Sequence, residues 1–153
     1  MKAQILRIVL TFSLFGLISA ATANAQVDGL IRVHIPFDFI VSEQTLPSGD
    51  YIVERGMTID PNVLLISSAD RKTNVYVGAE SAYRLKTPAD TFLSFDEVDN
   101  KYFLREVWRT GQDVGREIPR SREERNLQRS ENQLTQTIKI HMDATGRQSQ
   151  TME

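Results

Sequence analysis

The clearest pattern in the sequence is an alternation of apolar and mostly polar residues between positions 31 and 41. The odd positions are all apolar: Ile31, Val33, Ile35, Phe37, Phe39 and Val41. A pleated strand places alternate side chains on one face, whereas a helix would spread them around its circumference. The pattern therefore predicts a strand whose odd-numbered side chains point into a core. Because Pro36 cannot donate to a ladder, it predicts an edge position, a bulge or a bend between two shorter strands.

Two further patterns predict turns between strands. Residues 46–50 contain Pro47 and Gly49, which favour a turn before a second strand over residues 51–55. Short apolar runs at 63–66 and 75–77 flank a polar stretch and predict a hairpin.

A second hairpin is predicted at Asp99–Asn100, a pair that tolerates positive φ and suits a two-residue turn between residues 91–98 and 101–109. Uninterrupted pairing from this turn would place Glu106 opposite Leu93 and on one face with Leu104 and Trp108. Both faces of the hairpin would be largely apolar, which predicts a position in the middle of a sandwich or barrel.

The composition changes after Gly111. Residues 115–131 contain five arginines and four glutamates, with Ile118 and Leu127 as the main apolar positions. Pro119 and Ser121 are suited to start a helix, so we expect a surface helix held more by charge pairs than by burial. The polar residues after it predict a flexible tail, although the alternation at 138–142 could add a strand or dock to a partner.

These patterns predict a mainly β fold, either a small antiparallel barrel or a two-sheet sandwich of six to eight strands, followed by one charged surface helix and a flexible tail. The predicted intervals are a signal peptide over 1–25, a β domain over 26–115, a charged helix over 116–131 and the tail over 132–153.

The first 25 residues have the pattern of a secretory signal peptide. Lys2 and Arg7 precede an uncharged apolar run over 8–18, and small residues follow at Ala23 and Ala25. We expect cleavage between Ala25 and Gln26. The run is shorter than the ~20 residues that a membrane-spanning helix needs, so an uncleaved anchor is the less favoured alternative. No later segment is apolar enough to span a bilayer, and the predicted location is secreted or periplasmic.

Composition limits the possible functions. The chain has no cysteine, which excludes disulfides, thiol catalysis and Cys-ligated zinc. Removal of Lys2 and Arg7 with the signal peptide leaves 16 basic against 20 acidic residues, a net charge of −4. This balance gives no reason to expect nucleic-acid binding. The remaining length allows one core and excludes a multidomain enzyme.

Few residues could support catalysis or metal binding. His34 and His141 are the two histidines, and neither lies in a recognisable catalytic motif. The acidic turn over residues 96–100 could hold calcium weakly, but an exposed acidic hairpin is the simpler interpretation. We therefore predict no catalytic residue, no cofactor and no metal ligand.

Three residues are weak candidates for a ligand site: Glu106, Trp108 and Tyr102. On an apolar face, burial would raise the pKa of Glu106 unless an arginine such as Arg84 or Arg116 paired with it. Trp108 and Tyr102, with Tyr83, could form a platform for a sugar, although large aromatic residues in a domain of this size are usually part of the core.

Four segments together resemble a group of small secreted bacterial proteins of uncharacterised function. The segments are Ile35-Pro36-Phe37-Asp38-Phe39, Leu46-Pro47-Ser48-Gly49-Asp50-Tyr51, Tyr102-Phe103-Leu104-Arg105-Glu106-Val107-Trp108 and Gly115-Arg116-Glu117-Ile118-Pro119. The resemblance covers roughly residues 31 to 131. It implies export and a single domain, and it carries over no activity, cofactor or binding residue.

The leading functional hypothesis is an exported, non-catalytic β domain that acts by binding, as an envelope component or an accessory to another protein, with an envelope protein or a glycan as partner. The alternative is a small glycan hydrolase or lyase that uses Glu106 and a second carboxylate. A third possibility is a barrel with an apolar ligand, which would require an interior cavity of roughly 300 Å³ or more. The sequence leaves the ligand and the oligomeric state open.

Overall fold

The computed structural model describes residues 30–56, 60, 62–131, 135–142 and 147–152. Within these residues there are twelve strands and one helix: β1 (Ile31–Ile35), β2 (Phe39–Val41), β3 (Gln44–Leu46), β4 (Gly49–Arg55), β5 (Val63–Ser68), β6 (Asn74–Gly78), β7 (Glu80–Tyr83), β8 (Thr91–Val98), β9 (Lys101–Trp108), β10 (Val114–Glu117), α1 (Arg122–Glu131), β11 (Gln136–Met142) and β12 (Gln148–Met152). The predicted signal peptide, with its cleavage site at Ala25 and Gln26, lies outside the described residues.

The strands form two sheets that pack face to face as a sandwich. Sheet A has the order β1-β4-β5-β6, and sheet B has the order β12-β11-β8-β9-β10-β7. β2 joins sheet B by parallel pairing with β9, and β3 pairs with β2. The mainly β prediction is confirmed, and of its two forms the sandwich is the observed one because the sheets do not close into a barrel. The number of strands in the described residues, twelve, exceeds the predicted six to eight because several strands are short and two lie in the predicted tail.

Pro36 marks the point where the chain changes sheets. Ile31–Ile35 pairs with β4 in sheet A, whereas Phe39–Val41 pairs with β3 and β9 in sheet B. Of the three possibilities at Pro36, an edge position, a bulge or a bend between two shorter strands, the structure contains the bend. The Phe37 ring makes an edge contact with Phe95 at 5.2 Å between centroids, which brings the connecting segment against the core.

The turn before β4 is fastened to this crossover. The Asp38 carboxylate accepts a hydrogen bond from the Ser48 backbone N–H at 2.8 Å, and the Tyr51 hydroxyl donates to the Pro47 carbonyl at 2.7 Å. Burial raises the pKa of Tyr51, and the charges of Asp38 and Asp70 add to the effect. Two of the segments noted in the sequence are thus in direct contact.

The β8–β9 hairpin turns at Asp99 and Asn100, whose φ values of 52° and 56° confirm the expected tight turn. Pairing follows the predicted register from the turn as far as Phe95 with Leu104. Beyond that point a β-bulge leaves Arg105 as an extra residue in β9, so that Glu106 pairs with Ser94.

The predicted position of Glu106 opposite Leu93 is therefore wrong. The residue opposite Leu93 is Val107, and Trp108 pairs with Phe92. Because side chains alternate between faces, the bulge turns Glu106 and Trp108 away from the main core and turns Val107 into it.

Helix α1 packs on the outer face of sheet B. Leu127 contacts a small apolar cluster of Ile40, Val98 and Phe103. The Ser121 hydroxyl accepts a hydrogen bond from the Glu124 N–H at 3.1 Å, as the predicted helix start requires. The helix is shorter than the predicted interval 116–131 because Val114–Glu117 pairs with β7 and β9 instead.

Two strands occupy part of the interval predicted as a flexible tail. β11 pairs with β8 along its whole length, and β12 pairs with β11. The alternating residues Ile138, Ile140 and Met142 of β11 are buried. The alternation that could add a strand does so, because these side chains complete the apolar face beside β8.

Candidate functional site

Glu106 lies on the outer face of sheet B and is held by two donors. Its Oε2 atom accepts a hydrogen bond from the Arg84 guanidinium at 3.0 Å and another from the Trp108 indole N–H at 2.9 Å. Of the possibilities considered from the sequence, the ion pair with Arg84 is the one that the structure contains. This carboxylate ties the segment after β7 to the sheet.

Trp108 is buried beneath the same arginine. Its side chain is 1 % exposed, and its ring is stacked near Phe92 at 6.3 Å between centroids. The Arg84 guanidinium carbon lies 4.5 Å from the centroid of the indole ring, a cation–π distance. The indole therefore has no open face for a sugar.

Tyr102 lies on the other face of β9. Its ring is tilted on Phe37 at 4.2 Å, at the edge of the main core. Burial raises the pKa of Tyr102, with further contributions from the charge and hydrogen bond of Glu97. Tyr83 is 77 % exposed on β7. The structure therefore does not assemble Trp108, Tyr102 and Tyr83 into one platform.

A second carboxylate does lie next to Glu106. Glu117 is its cross-strand partner on β10, and Glu80 is in turn the partner of Glu117 on β7. Direct partners share a face, so the acidic side chains follow one another across three strands. The Oε2 atom of Glu106, however, is already engaged by a guanidinium donor and an indole donor.

The remaining candidates are structural. His34 is exposed, and its Nδ1 lies 2.8 Å from an Asp50 carboxylate oxygen. His141 lies on β11 with its ring 5.4 Å from that of Phe92. No group of three or more His, Cys, Asp or Glu side chains that could hold a metal ion occurs in the part of the chain that the structure describes. Among the same residues no helix has the length and apolar character needed to cross a membrane.

Asp96, from the acidic turn, is committed to a buried ion network. The Arg105 Nε donates to Asp96 at 2.9 Å, and Arg105 also pairs with Glu124 of α1. Arg120 adds a longer contact to Asp96 at 3.5 Å. Burial alone would lower the pKa of the Arg105 guanidinium, but hydrogen bonds and charge attraction from Glu124 and Asp96 outweigh it and raise this pKa. The network fastens the helix to the sheet.

The site that sequence reasoning missed is a cleft of about 550 Å³ at one open end of the sandwich. We call it the arginine cleft. Apolar residues from both sheets form its floor: Ile31, Val53, Leu64, Val107 and Val114. Three arginines form its rim: Arg55, Arg109 and Arg116. Its volume falls within the roughly 300–1,000 Å³ of small-molecule sites.

The rim arginines occupy positions that would otherwise continue the core. Along β4 the inward positions Tyr51 and Val53 are buried in the core, and the next inward position is Arg55. In sheet B, Arg116 is the cross-strand partner of the core residue Val107, so it too is on the inner face. The break in an apolar alternation at Arg55 is the signal by which the sequence could have indicated this end of the sandwich.

Comparisons of the chain with protein-family models, with curated proteins and with solved structures found no match. The resemblance to small secreted bacterial proteins therefore remains a prediction that stands on the four segments alone. In the structure these segments contact one another, as Asp38 does with Ser48 and as Arg105 does with the carbonyl of Ile118. Such contacts indicate a structural role for the motif residues.

Proposed function

We propose that this chain is an exported, non-catalytic β sandwich that acts by binding a ligand in the arginine cleft. The observation that carries the proposal is the cleft itself, which combines an apolar floor with a charged rim at the open end of the core. Binding sites for small molecules are concave and combine apolar walls with polar groups that orient the ligand, and the cleft offers both. A role as an envelope component or as an accessory to another protein fits such a domain.

The state of Glu106 favours binding over glycan hydrolysis or lysis. A catalytic carboxyl group must lie within hydrogen-bond reach of the substrate group on which it acts. Glu106 instead accepts hydrogen bonds from Arg84 and Trp108. We therefore assign Glu106 a structural role, and we expect Glu106→Gln to lower stability without changing ligand binding.

The cleft is tested by filling it. Val114 is half-buried on the cleft wall, so Val114→Trp should occupy the space while leaving the sheet pairing intact. Val63 is also half-buried but lies outside the cleft lining, and Val63→Trp is the matched control. Fluorescence titration with Nile red, a neutral apolar dye, should show binding to the original protein and to V63W, and a loss of at least about tenfold in affinity for V114W.

Equal dye affinity in both variants, or no dye binding to the original protein, would contradict the proposed binding function. Urea unfolding of each variant provides the control for folding. A V114W protein that unfolds at the same urea concentration as V63W and still loses the dye identifies the cleft as the site.

Export is tested by expression of the full chain in a bacterium that secretes proteins. The expected product outside the cytoplasm begins at Gln26, as N-terminal sequencing or intact mass would show. Ala25→Lys should block cleavage and leave a longer product. Retention of the original chain in the cytoplasm would contradict export while leaving the binding proposal untouched.

A further inference from the structure

The inference concerns the kind of molecule that the arginine cleft accepts, and it rests on the proposed binding function. We propose that the cleft binds a single-chain amphiphile with a carboxylate head, the alkyl chain lying on the apolar floor and the carboxylate lying between Arg55 and Arg116.

Two strands from opposite sheets each place an arginine at an inward position at the same end of the sandwich. Arg55 is the residue of β4 that pairs with the floor residue Leu64, and Arg116 is the residue of β10 that pairs with the floor residue Val107. The two guanidinium groups therefore arise directly beside apolar floor residues and on facing sheets. Such an arrangement brings a charged group and an apolar surface within reach of one ligand.

The rim carries an excess of positive charge. Arg109 adds a third arginine to the lining, and Glu54 is the acidic residue in it. The Glu54 carboxylate pairs with Arg71 at 2.7 Å, outside the cleft lining. Arg116 donates to the neutral hydroxyl of Ser81 at 2.8 Å. Arg55 and Arg116 therefore place two positive charges at this end of the sandwich, and a guanidinium group matches the two oxygens of a carboxylate well.

The apolar floor of the cleft favours an alkyl chain as the remaining part of the ligand. Ile31, Val53, Leu64 and Val107 belong to the main core and also line the cleft, so the floor is the margin of the core at this end of the sandwich. An alkyl chain laid on this surface would remove apolar area from water, which is favourable in proportion to the area covered. A small hydrophilic anion would gain nothing from the floor, whereas a neutral alkyl compound would gain nothing from the rim.

Isothermal titration calorimetry with dodecanoate, dodecanol and hexanoate separates these contributions. We expect dodecanoate to bind most tightly, because it alone covers the floor and reaches the arginines. The double variant Arg55→Gln with Arg116→Gln should weaken dodecanoate binding by about tenfold or more, the effect of losing charge-assisted contacts, and should leave dodecanol binding unchanged. Arg32→Gln, at an exposed position on β1 outside the cleft lining, is the matched control and should have no effect.

The possible failures are distinguishable. Equal binding of dodecanoate and dodecanol, with both blocked by V114W, would overturn the carboxylate assignment and keep the cleft as a binding site. Nile red binding that V114W does not affect would overturn the proposed function itself. Binding to anionic phosphatidylglycerol vesicles without binding of free dodecanoate would overturn the single-chain amphiphile in favour of a membrane surface. Urea unfolding of the double variant confirms that its fold is intact.

Discussion

Gly115 and Trp108 depend on each other in this fold. A Cβ atom added at Gly115 would lie 2.5 Å from Cδ2 of the indole and 2.7 Å from two more of its atoms, so the ring occupies the space that a side chain would take. The same ring lies beneath the Arg84 guanidinium. Glycine is thus required here for close approach rather than for an unusual backbone conformation.

We expect Gly115→Ala to lower the free energy of unfolding by about 1–3 kcal/mol, because the indole must move out of a packed position. Gly78→Ala is the matched control, since a Cβ at that position meets no atom within 4 Å. Urea unfolding followed by the fluorescence of the single tryptophan reports both stability and the environment of the ring. Equal stability of the two variants would show that the ring adapts without cost.

At the scale of single residues, the sequence pattern predicted well which side chains point into the core and predicted poorly which ones lie on the outer face. The alternation at 31–41 correctly indicated that Phe39 is buried. The face of Glu106 and Trp108 was mispredicted because one extra residue at Arg105 reverses every later position, and a bulge leaves no mark in hydrophobic periodicity. The contact between Arg84 and Glu106 joins residues 22 positions apart, which local patterning does not specify.

Among the elements, α1 depends most on a few residues. Its ten residues include one leucine as the main apolar anchor, so burial contributes little to holding it. Glu124 is 2 % exposed and pairs with Arg105, whereas its neighbour Glu123 is exposed and pairs with Lys101 at 2.7 Å. Adjacent glutamates therefore face opposite environments.

We expect Glu124→Gln to lower the free energy of unfolding by about 2–4 kcal/mol. The substitution removes the negative charge that pairs with the buried Arg105 guanidinium. Glu123→Gln should leave stability nearly unchanged because exposed ion pairs contribute little. Chemical denaturation of the two variants at neutral pH gives the comparison. A larger loss in E123Q would mean that the surface pair, not the buried network, holds the helix.

The elements that sequence patterns located best were those with local partners. The β5–β6 and β8–β9 hairpins follow from short turns between apolar runs. β7 and β10 were not predicted as strands because each has only four residues and they pair with each other across more than 30 positions of sequence. The cleft was missed for the same reason, since its lining comes from both sheets.

At the scale of the whole molecule, the two sheets share one core and are joined by direct crossovers. β1 continues into β2 through Pro36, and β6 continues into β7 after a single residue, Ala79. The main cluster of buried side chains includes residues of both sheets, such as Val53 of sheet A and Leu93 of sheet B. Neither sheet could keep its inner face covered if the other separated.

We therefore expect a single cooperative unfolding transition. Far-ultraviolet circular dichroism reports the strands of both sheets, whereas tryptophan fluorescence reports Trp108 in sheet B alone. The two signals should trace one curve against denaturant concentration. Separate midpoints would indicate that the sheets unfold independently.

The position of β11 has a consequence for how the protein is made. When synthesis has reached the end of α1, three residues that pack beside β8 have not yet been made: Ile138, Ile140 and Met142. The nascent chain thus carries an unfinished interior through most of translation, and stable closure is a late event. In the export that we propose, the polypeptide passes through a translocation channel as an extended chain, and late closure of the core keeps it in a transportable state.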